Sequence, residues 1–301
     1  MRLGTRRSHL AMTQSGHVAD AIRELGHDVE LVEVVSAGDR TQAAGTPITG
    51  TTSTGVFVNA LRDALLAGEI DLAVHSLKDL PTYPHEGVTL VAIPPREDPR
   101  DVVVARDGLT LGELPQGSRV GTGSPRRTAQ VHALGLGLEI SGVRGNVDTR
   151  IGKVRSGEYD AVVLARAGLA RIDRLDDVTE VLDPLQVLPA PGQGALAIEC
   201  RSDDTELIAV LSRLDDTHTR AAVTAERVVL ATLEGGCAAP IGTLAEVVEG
   251  DDGDELWVRA VVLSADGAVA IRRSASGPVT DAGGVGERLA KDILADGAAE
   301  L

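Results

Sequence analysis

The sequence predicts an α/β protein in which two α/β domains precede a smaller α+β domain. Three observations carry that prediction. Strands and helices alternate from the first residue to about residue 200, two stretches rich in Pro and Gly interrupt the alternation, and after about residue 217 the pattern changes to one long helix followed by strands. A chain of 301 residues is long enough for two or three domains of ordinary size.

The elements follow in order. "MRLGT" reads as a short strand, and "SHLAMTQSGHVADAIRELG" as a helix with Ser8 at its N-cap, Gly26 beyond its end, and Val18, Ile22 and Leu25 on one face. "DVELVEVV" is the next strand. A helix over 56–67 turns Val58, Leu61 and Leu65 inward, and "IDLAVHSL" and "VTLVAIPP" are further strands. "PPREDPRD" at 94–101 breaks the rhythm with three prolines among charges and reads as a crossing between domains. The rhythm then resumes with the strands "DVVVAR" and "SRVGT", the helix "SPRRTAQVHALG", the strand "LEISGV", a helix with Val147, Ile151 and Val154 inward, and the strand "YDAVVLA". A second interruption, "LPAPGQG" at 188–194, leads into the apolar strand "ALAIEC".

Two interruptions around one α/β unit predict a discontinuous first domain, 1–95 with 194–214, and an inserted second domain, 100–189. The third domain, 217–301, holds the long helix, the strands "ELWVRAVVLS" and "AVAIRRSAS", and a closing helix that aligns Val285, Leu289 and Ile293. Parallel α/β sheets bind ligands beyond the carboxyl ends of their strands, so the expectation is a binding site in the cleft between the first two domains. No internal repeat of fixed period is visible.

Composition narrows the function. A net charge of −16 argues against nucleic acid, whose binding needs a Lys/Arg excess, and 1% aromatic residues leaves little for base stacking. No stretch approaches the roughly 18–20 apolar residues of a membrane span, and "MRLGTRRSHLAMTQ" lacks the apolar run of a signal peptide, so the expectation is a cytoplasmic protein with no membrane partner. The two cysteines, Cys200 and Cys237, show neither a metal-ligand spacing nor a disulfide framework, and no metal is expected.

The chemistry gathers at strand ends. Lys78 and Asp79, in "HSLKDLPT", follow a buried strand and precede a proline that fixes the loop. They read either as a surface ion pair or as a carboxylate kept ionised beside a cation and able to move a proton. In "VGTGSPRRTAQ", Thr122 and Ser124 stand at a helix start, where backbone N–H groups favour anions, and Arg126 and Arg127 add two fork-shaped donors. Arg144 and Arg150 in "GVRGNVDTRIGK", Arg171 in "AGLARID", and Arg6 with Ser8 in "GTRRSHLA" occupy comparable places. A single arginine of this kind is ordinarily a solvated surface residue. Several at successive strand ends of an acidic chain predict a positive basin for a ligand with several carboxylates or phosphates.

Cys200 lies in an apolar strand and reads as packing. Cys237, in "LEGGCAAP", follows two glycines that end a helix, and no neighbouring His or Lys offers the base of a nucleophilic catalyst. A thiol without a base suggests attachment and not turnover.

Eight segments, "GTRRSHLA", "DLAVHSLKDLPT", "EDPRDVVVA", "VGTGSPRRTAQ", "RGNVDTRI", "GEYDAVVLARAGLARI", "LPAPGQGALAIECR" and "TAERVVLATLEGGCAAPIG", occur in the order and spacing of the porphobilinogen deaminase (hydroxymethylbilane synthase) family. The chain resembles that family over essentially its whole length, as a bacterial, actinobacterial-like member. The resemblance implies a cytoplasmic, monomeric transferase of tetrapyrrole and haem biosynthesis. It would join four porphobilinogen molecules, with loss of ammonia, onto a dipyrromethane cofactor attached to Cys237 through a thioether. The product would be hydroxymethylbilane, and porphobilinogen and the growing polypyrrole the only partners. It implies two domains like the lobes of periplasmic solute-binding proteins and a third that carries the cysteine loop. It assigns Asp79 as the catalytic residue. Cys237, Lys78, Asp79, Thr122, Ser124, Arg126, Arg127 and Arg144 would hold the cofactor, and Arg6, Ser8, Arg144, Arg150 and Arg171 the substrate.

Two positions depart from the family's pattern. Thr54 stands where many members have a loop lysine, and Gly123 where a serine is frequent. The competing readings are a two-lobed anion-binding protein without catalysis, which leaves Cys237 unexplained, and a cysteine hydrolase or acyltransferase, which lacks a placed base.

Overall fold

A computed structural model describes residues 1–34, 53–234, 240–250 and 253–301. The predicted attachment residue Cys237 lies outside the described residues, as does the side chain of Thr54. The chain divides into two compact units, Met1–Arg96 with Ala195–Thr219, and Glu97–Gly194 with Arg220–Leu301. The chain passes between them three times: the first two passages, after Arg96 and after Gly194, fall within the Pro/Gly-rich stretches at 94–101 and 188–194 or at their edge, and the third, after Thr219, lies in the long helix that begins at Thr217.

The first unit contains β1 (Arg2–Thr5), α1 (His9–Glu24), β2 (Glu30–Glu33), α2 (Ser53–Leu66), β3 (Leu72–Ser76) and β4 (Val88–Ala92). After the excursion through the second unit the chain adds β10 (Leu196–Arg201) and α6 (Thr205–Leu211). The sheet order is β2-β1-β3-β10-β4, with β10 antiparallel to both neighbours. Ser8 caps α1 by accepting from the Ala11 N–H, and the helix ends before Gly26, whose φ of +89° suits glycine. Helix α1 packs Val18 and Ile22 with Leu3, Leu72, Val74 and Ile198 on one face of the sheet. Helix α2 packs Leu61 and Leu65 with Ile70, Ala73 and Val88 on the other. Period-two alternation along β3 sends Leu72 and Val74 to the first face and Ala73 to the second.

The second unit repeats this plan. It contains β5 (Asp101–Ala105), β6 (Arg119–Gly121), α3 (Pro125–Ala133), β7 (Glu139–Ser141), α4 (Val147–Arg155), β8 (Ala161–Ala165), α5 (Arg166–Arg171) and β9 (Glu180–Val181). The order β7-β6-β8-β5-β9 again places one antiparallel strand, β5, fourth in the sheet. Each sheet therefore takes its antiparallel strand from the segment just past a crossing. Val103, Val120, Val131 and Val163 form the core on the α3 side, and Val104, Ile151, Val154 and Val162 the core on the α4 side.

The C-terminal part is a separate small domain of α7 (Thr217–Glu234), β11 (Ile241–Gly250), β12 (Gly253–Leu263), β13 (Ala270–Pro278) and α8 (Ala282–Ala295). Its strands form an antiparallel meander in the order β11-β12-β13. Val229 and Leu233 of α7 and Val285, Leu289 and Ile293 of α8 are fully buried against one face of the sheet. On the other face Val261 and Leu244 meet Ala129 and Leu188. Strand β11 was absent from the sequence reading: Ile241–Ala245 is buried on both faces, so no alternation marks it.

Gly194 shows how tightly one crossing is built. Its φ is +90°, and a Cβ there would collide with the Glu97 carbonyl oxygen. Gly194→Ala is expected to cost at least ~1–2 kcal/mol from backbone strain alone, read as a lower midpoint in thermal or urea unfolding.

Candidate functional site

In the first unit the chain leaves β3 in a single 3₁₀ turn, Leu77–Asp79. Leu77 is 0% exposed and its N–H donates to the Ala195 carbonyl at 3.0 Å, while the Leu80 N–H closes the turn on Leu77 at 3.0 Å. Burying such a leucine contributes about 1.5–3 kcal/mol, which holds the turn in place. Between these two anchors Lys78 and Asp79 are exposed at the carboxyl end of β3. Just below, Gln14 of α1 donates to the Ser76 hydroxyl at 3.0 Å. Arg6, at the carboxyl end of β1, lies with its guanidinium carbon 3.4 Å from the centroid of the Phe57 ring, a close cation–π contact. The Ser8 hydroxyl is the α1 cap and accepts from Ala11 at 3.3 Å.

A buried charged cluster lies between this sheet and α2. Arg62 donates Nε and Nη2 to the two oxygens of Glu199 at 3.0 and 2.7 Å, and His75 Nε2 is 3.2 Å from Glu199 Oε2. Burial alone would raise the Glu199 carboxyl, but His75 and Arg62 beside it more than reverse this and hold it at about 2. No sequence motif marks the cluster, because its members are spread over β10, α2 and β3.

In the second unit β6 runs into the α3 start. Ser124 is the α3 cap, with Pro125 in the first helical position. Thr122 is buried, donates its backbone N–H to Ser141 at 2.9 Å, and accepts from the Ser124 N–H at 3.3 Å. Thr122, Gly123, Ser124 and Pro125, with Ser141 and Gly142, line an open depression of about 390 Å³.

Arg126 and Arg127 do not project freely. Each is 6% exposed, and both point at Asp101, the first residue of β5, which is 0% exposed. Arg127 donates Nη2 and Nε to Asp101 Oδ1 at 2.7 and 3.1 Å and Nη1 to the Val163 carbonyl at 3.1 Å. Arg126 Nη1 pairs with Asp101 Oδ2 at 2.8 Å and also reaches the Leu188 carbonyl. Its Nε is buried without a hydrogen-bond partner among the described residues. Gln193 donates to Asp101 Oδ1 at 2.8 Å and to the Pro99 carbonyl at 2.6 Å. Burial disfavours the Asp101 charge, but the two arginines override it and hold the carboxyl well below the usual carboxylate range.

The remaining arginines lie in the same unit. Arg144 is exposed beyond β7. Arg150 is half-buried on α4 and donates Nε to the Gly145 carbonyl at 2.8 Å; burial and then the positive charge of Arg127 lower its pKa. Arg171, at the end of α5, donates to the Gly194 carbonyl at 2.6 Å, and burial lowers its pKa too. The unit thus gathers Arg126, Arg127 and Arg150 with Thr122 and Ser124, while Arg171 stands at the crossing. Sequence reasoning missed Asp101, although it lies inside the charged stretch 94–101 and a buried arginine pair demands a carboxylate.

Two family descriptions match the chain: "Porphobilinogen deaminase, dipyromethane cofactor binding domain" over residues 1–209, and "Porphobilinogen deaminase, C-terminal domain" over 220–295. Among curated relatives, porphobilinogen deaminase of Mycobacterium tuberculosis (strain H37Rv) is 58% identical over 306 residues, covering 100% of this chain and 98% of the relative. Porphobilinogen deaminase 1 of Streptomyces coelicolor is 57% identical over 311 residues, covering 100% and 97%. Porphobilinogen deaminase of Mycobacterium marinum is 56% identical over 306 residues, covering 100% and 96%. Among solved structures, the second substrate binding domain of a putative amino acid ABC transporter from Streptococcus pneumoniae aligns at 14% identity with a TM-score of 0.42, covering 70% of this chain and 90% of that one. Matched over both its parts and along the full length of its relatives, the chain belongs to the porphobilinogen deaminase family, enzymes whose first part binds a dipyrromethane cofactor.

Proposed function

We propose that this chain joins four porphobilinogen molecules head to tail, each with loss of ammonia, onto a dipyrromethane primer carried through a thioether on Cys237, and that water, adding at the bond to the primer, releases hydroxymethylbilane. The observation that carries the proposal is Asp79, an exposed carboxylate held at the carboxyl end of β3 by buried residues on either side of it.

The donors present suit the group. Pyrroles bearing acetate and propionate arms need several cationic or hydroxyl donors, and the second unit offers Thr122 and Ser124 on the wall of an open depression, with Arg126 and Arg127 following them in α3 and Arg150 on α4. When bound, the cofactor supplies the carbon to which the first unit is joined.

The rest falls to the chain's own side chains. Loss of ammonia takes the carbon–nitrogen electron pair with the nitrogen and leaves the substrate's methylene-pyrrole cationic. Asp79 opposes that charge, and its carboxylate takes up the proton released when the carbon–carbon bond forms. Lys78, beside it, suits a substrate carboxylate. Arg6, Ser8, Arg144 and Arg171 are assigned to the arms of the lengthening product, with the Ser8 hydroxyl shared with its helix cap. The proposal includes a monomer in the cytoplasm with neither nucleic acid nor membrane as partner; the charge of −16 supports the first exclusion.

Intact-mass measurement tests the reading. The purified protein should exceed its sequence mass by two linked pyrroles, and brief mixing with limiting porphobilinogen should give a ladder of species, each heavier by one pyrrole unit, ending at four additions. Cys237→Ser should abolish the excess and the ladder, whereas Cys200→Ser keeps both, because Cys200 is buried in β10. Added mass that never exceeds one unit while substrate is consumed would show that stepwise growth on the protein is wrong.

A further inference from the structure

From the cluster around Asp101 we infer that this carboxylate is a positioning residue for the carboxylate-binding arginines: it fixes the directions of Arg126 and Arg127 together and cancels one of their two charges. The inference rests on the proposed function, which gives those arginines their ligands.

Asp101 is fully buried, on the first residue of β5, and the side chains of Arg126, Arg127 and Gln193 converge on its carboxylate. Arg127 approaches Oδ1 with two nitrogens at 2.7 and 3.1 Å, Arg126 approaches Oδ2 at 2.8 Å, and Gln193 fills Oδ1 from the crossing segment at 2.8 Å. Two adjacent buried guanidiniums repel, and without a carboxylate between them one would have to turn outward. Their backbones sit one residue apart in the first turn of α3, so helix geometry alone would send them in different directions. Asp101 draws both toward β5. In doing so it takes Nη1 of Arg126 and leaves Nε buried and unpartnered.

The charge left over is as definite as the direction. Two arginines and one aspartate leave a single positive charge in the buried cluster, and Arg150 is close enough for Arg127 to disfavour its protonated form.

Asp101→Glu and Asp101→Asn test this against wild type that consumes porphobilinogen. The glutamate keeps the charge but displaces both guanidiniums by the length of a methylene. It should raise the KM for porphobilinogen about ten- to a hundredfold, the value of a misaligned charge-assisted hydrogen bond or two, with a smaller change in kcat per cofactor-loaded molecule. Its cofactor load, read by intact mass, should fall as well. The asparagine should lose the load outright; should it fail to fold, the glutamate variant decides. A merely structural carboxylate would lower kcat in proportion to the unfolded fraction and leave KM alone. Wild-type KM and load in Asp101→Glu would overturn the inference, whereas wild type that does not turn over porphobilinogen would overturn the function on which it rests.

Discussion

Asp79→Asn is expected to lower turnover by about 10²–10⁴-fold with the unfolding transition unchanged. The amide keeps the shape of the carboxylate and removes its charge and its proton-accepting capacity. Nothing in the packing should register the change: the turn is held by Leu77 and Leu80, both buried, and by the hydrogen bond from Leu77 to Ala195, while Asp79 itself is exposed. The loss should fall on kcat, since a group that opposes a charge formed during the reaction acts in the transition state more than on bound substrate. Cofactor load by intact mass separates a primer-assembly defect from an elongation defect. Near-normal turnover in a loaded variant would return Asp79 to the role of surface partner for Lys78.

Asp79 was legible in the sequence for a definite reason. An apolar strand followed by a charged pair and a proline marks a strand end with a constrained loop, and all the information is local. The α1 and α3 starts were legible on the same grounds, through Ser8 and Ser124. Asp101 was hidden by distance: it lies 26 positions from Arg127, and only the pairing of β5 beside β8 brings it under α3. Glu199 was hidden more deeply. It sits in the apolar run "ALAIEC", and its partner Arg62 is 137 positions away. The shared plan of the two five-stranded sheets has no sequence repeat behind it, because each takes its fourth strand from beyond a crossing. Short apolar strands satisfy a sheet with many different residues, so topology can repeat where sequence does not. The buried partners of the arginines are thus the part of the site that only the fold could supply.

Glu199 carries the largest expected effect on stability. Glu199→Gln would leave Arg62 buried opposite a neutral amide, and breaking a buried pair in this way costs about 3–5 kcal/mol. The loss should appear in urea unfolding of the first unit, where α2, β3 and β10 meet around this carboxylate. The acid dependence gives a second signature. The Glu199 carboxyl is held at about 2 against an ordinary value of 4.5, so the folded state binds its proton less readily than the unfolded chain. Its stabilisation, on the order of 3 kcal/mol from that difference, is then fully present above the unfolded value and is lost as pH falls from about 4.5 toward 2. The difference in stability between wild type and Glu199→Gln should therefore be constant near neutrality and shrink through that window. Arg62→Met should destabilise in parallel, and the double variant should cost less than the sum of the two, because neither charge is then left without its partner. A difference that stays constant down to pH 2 would mean that the carboxylate stabilises the unit through its shape and not its charge.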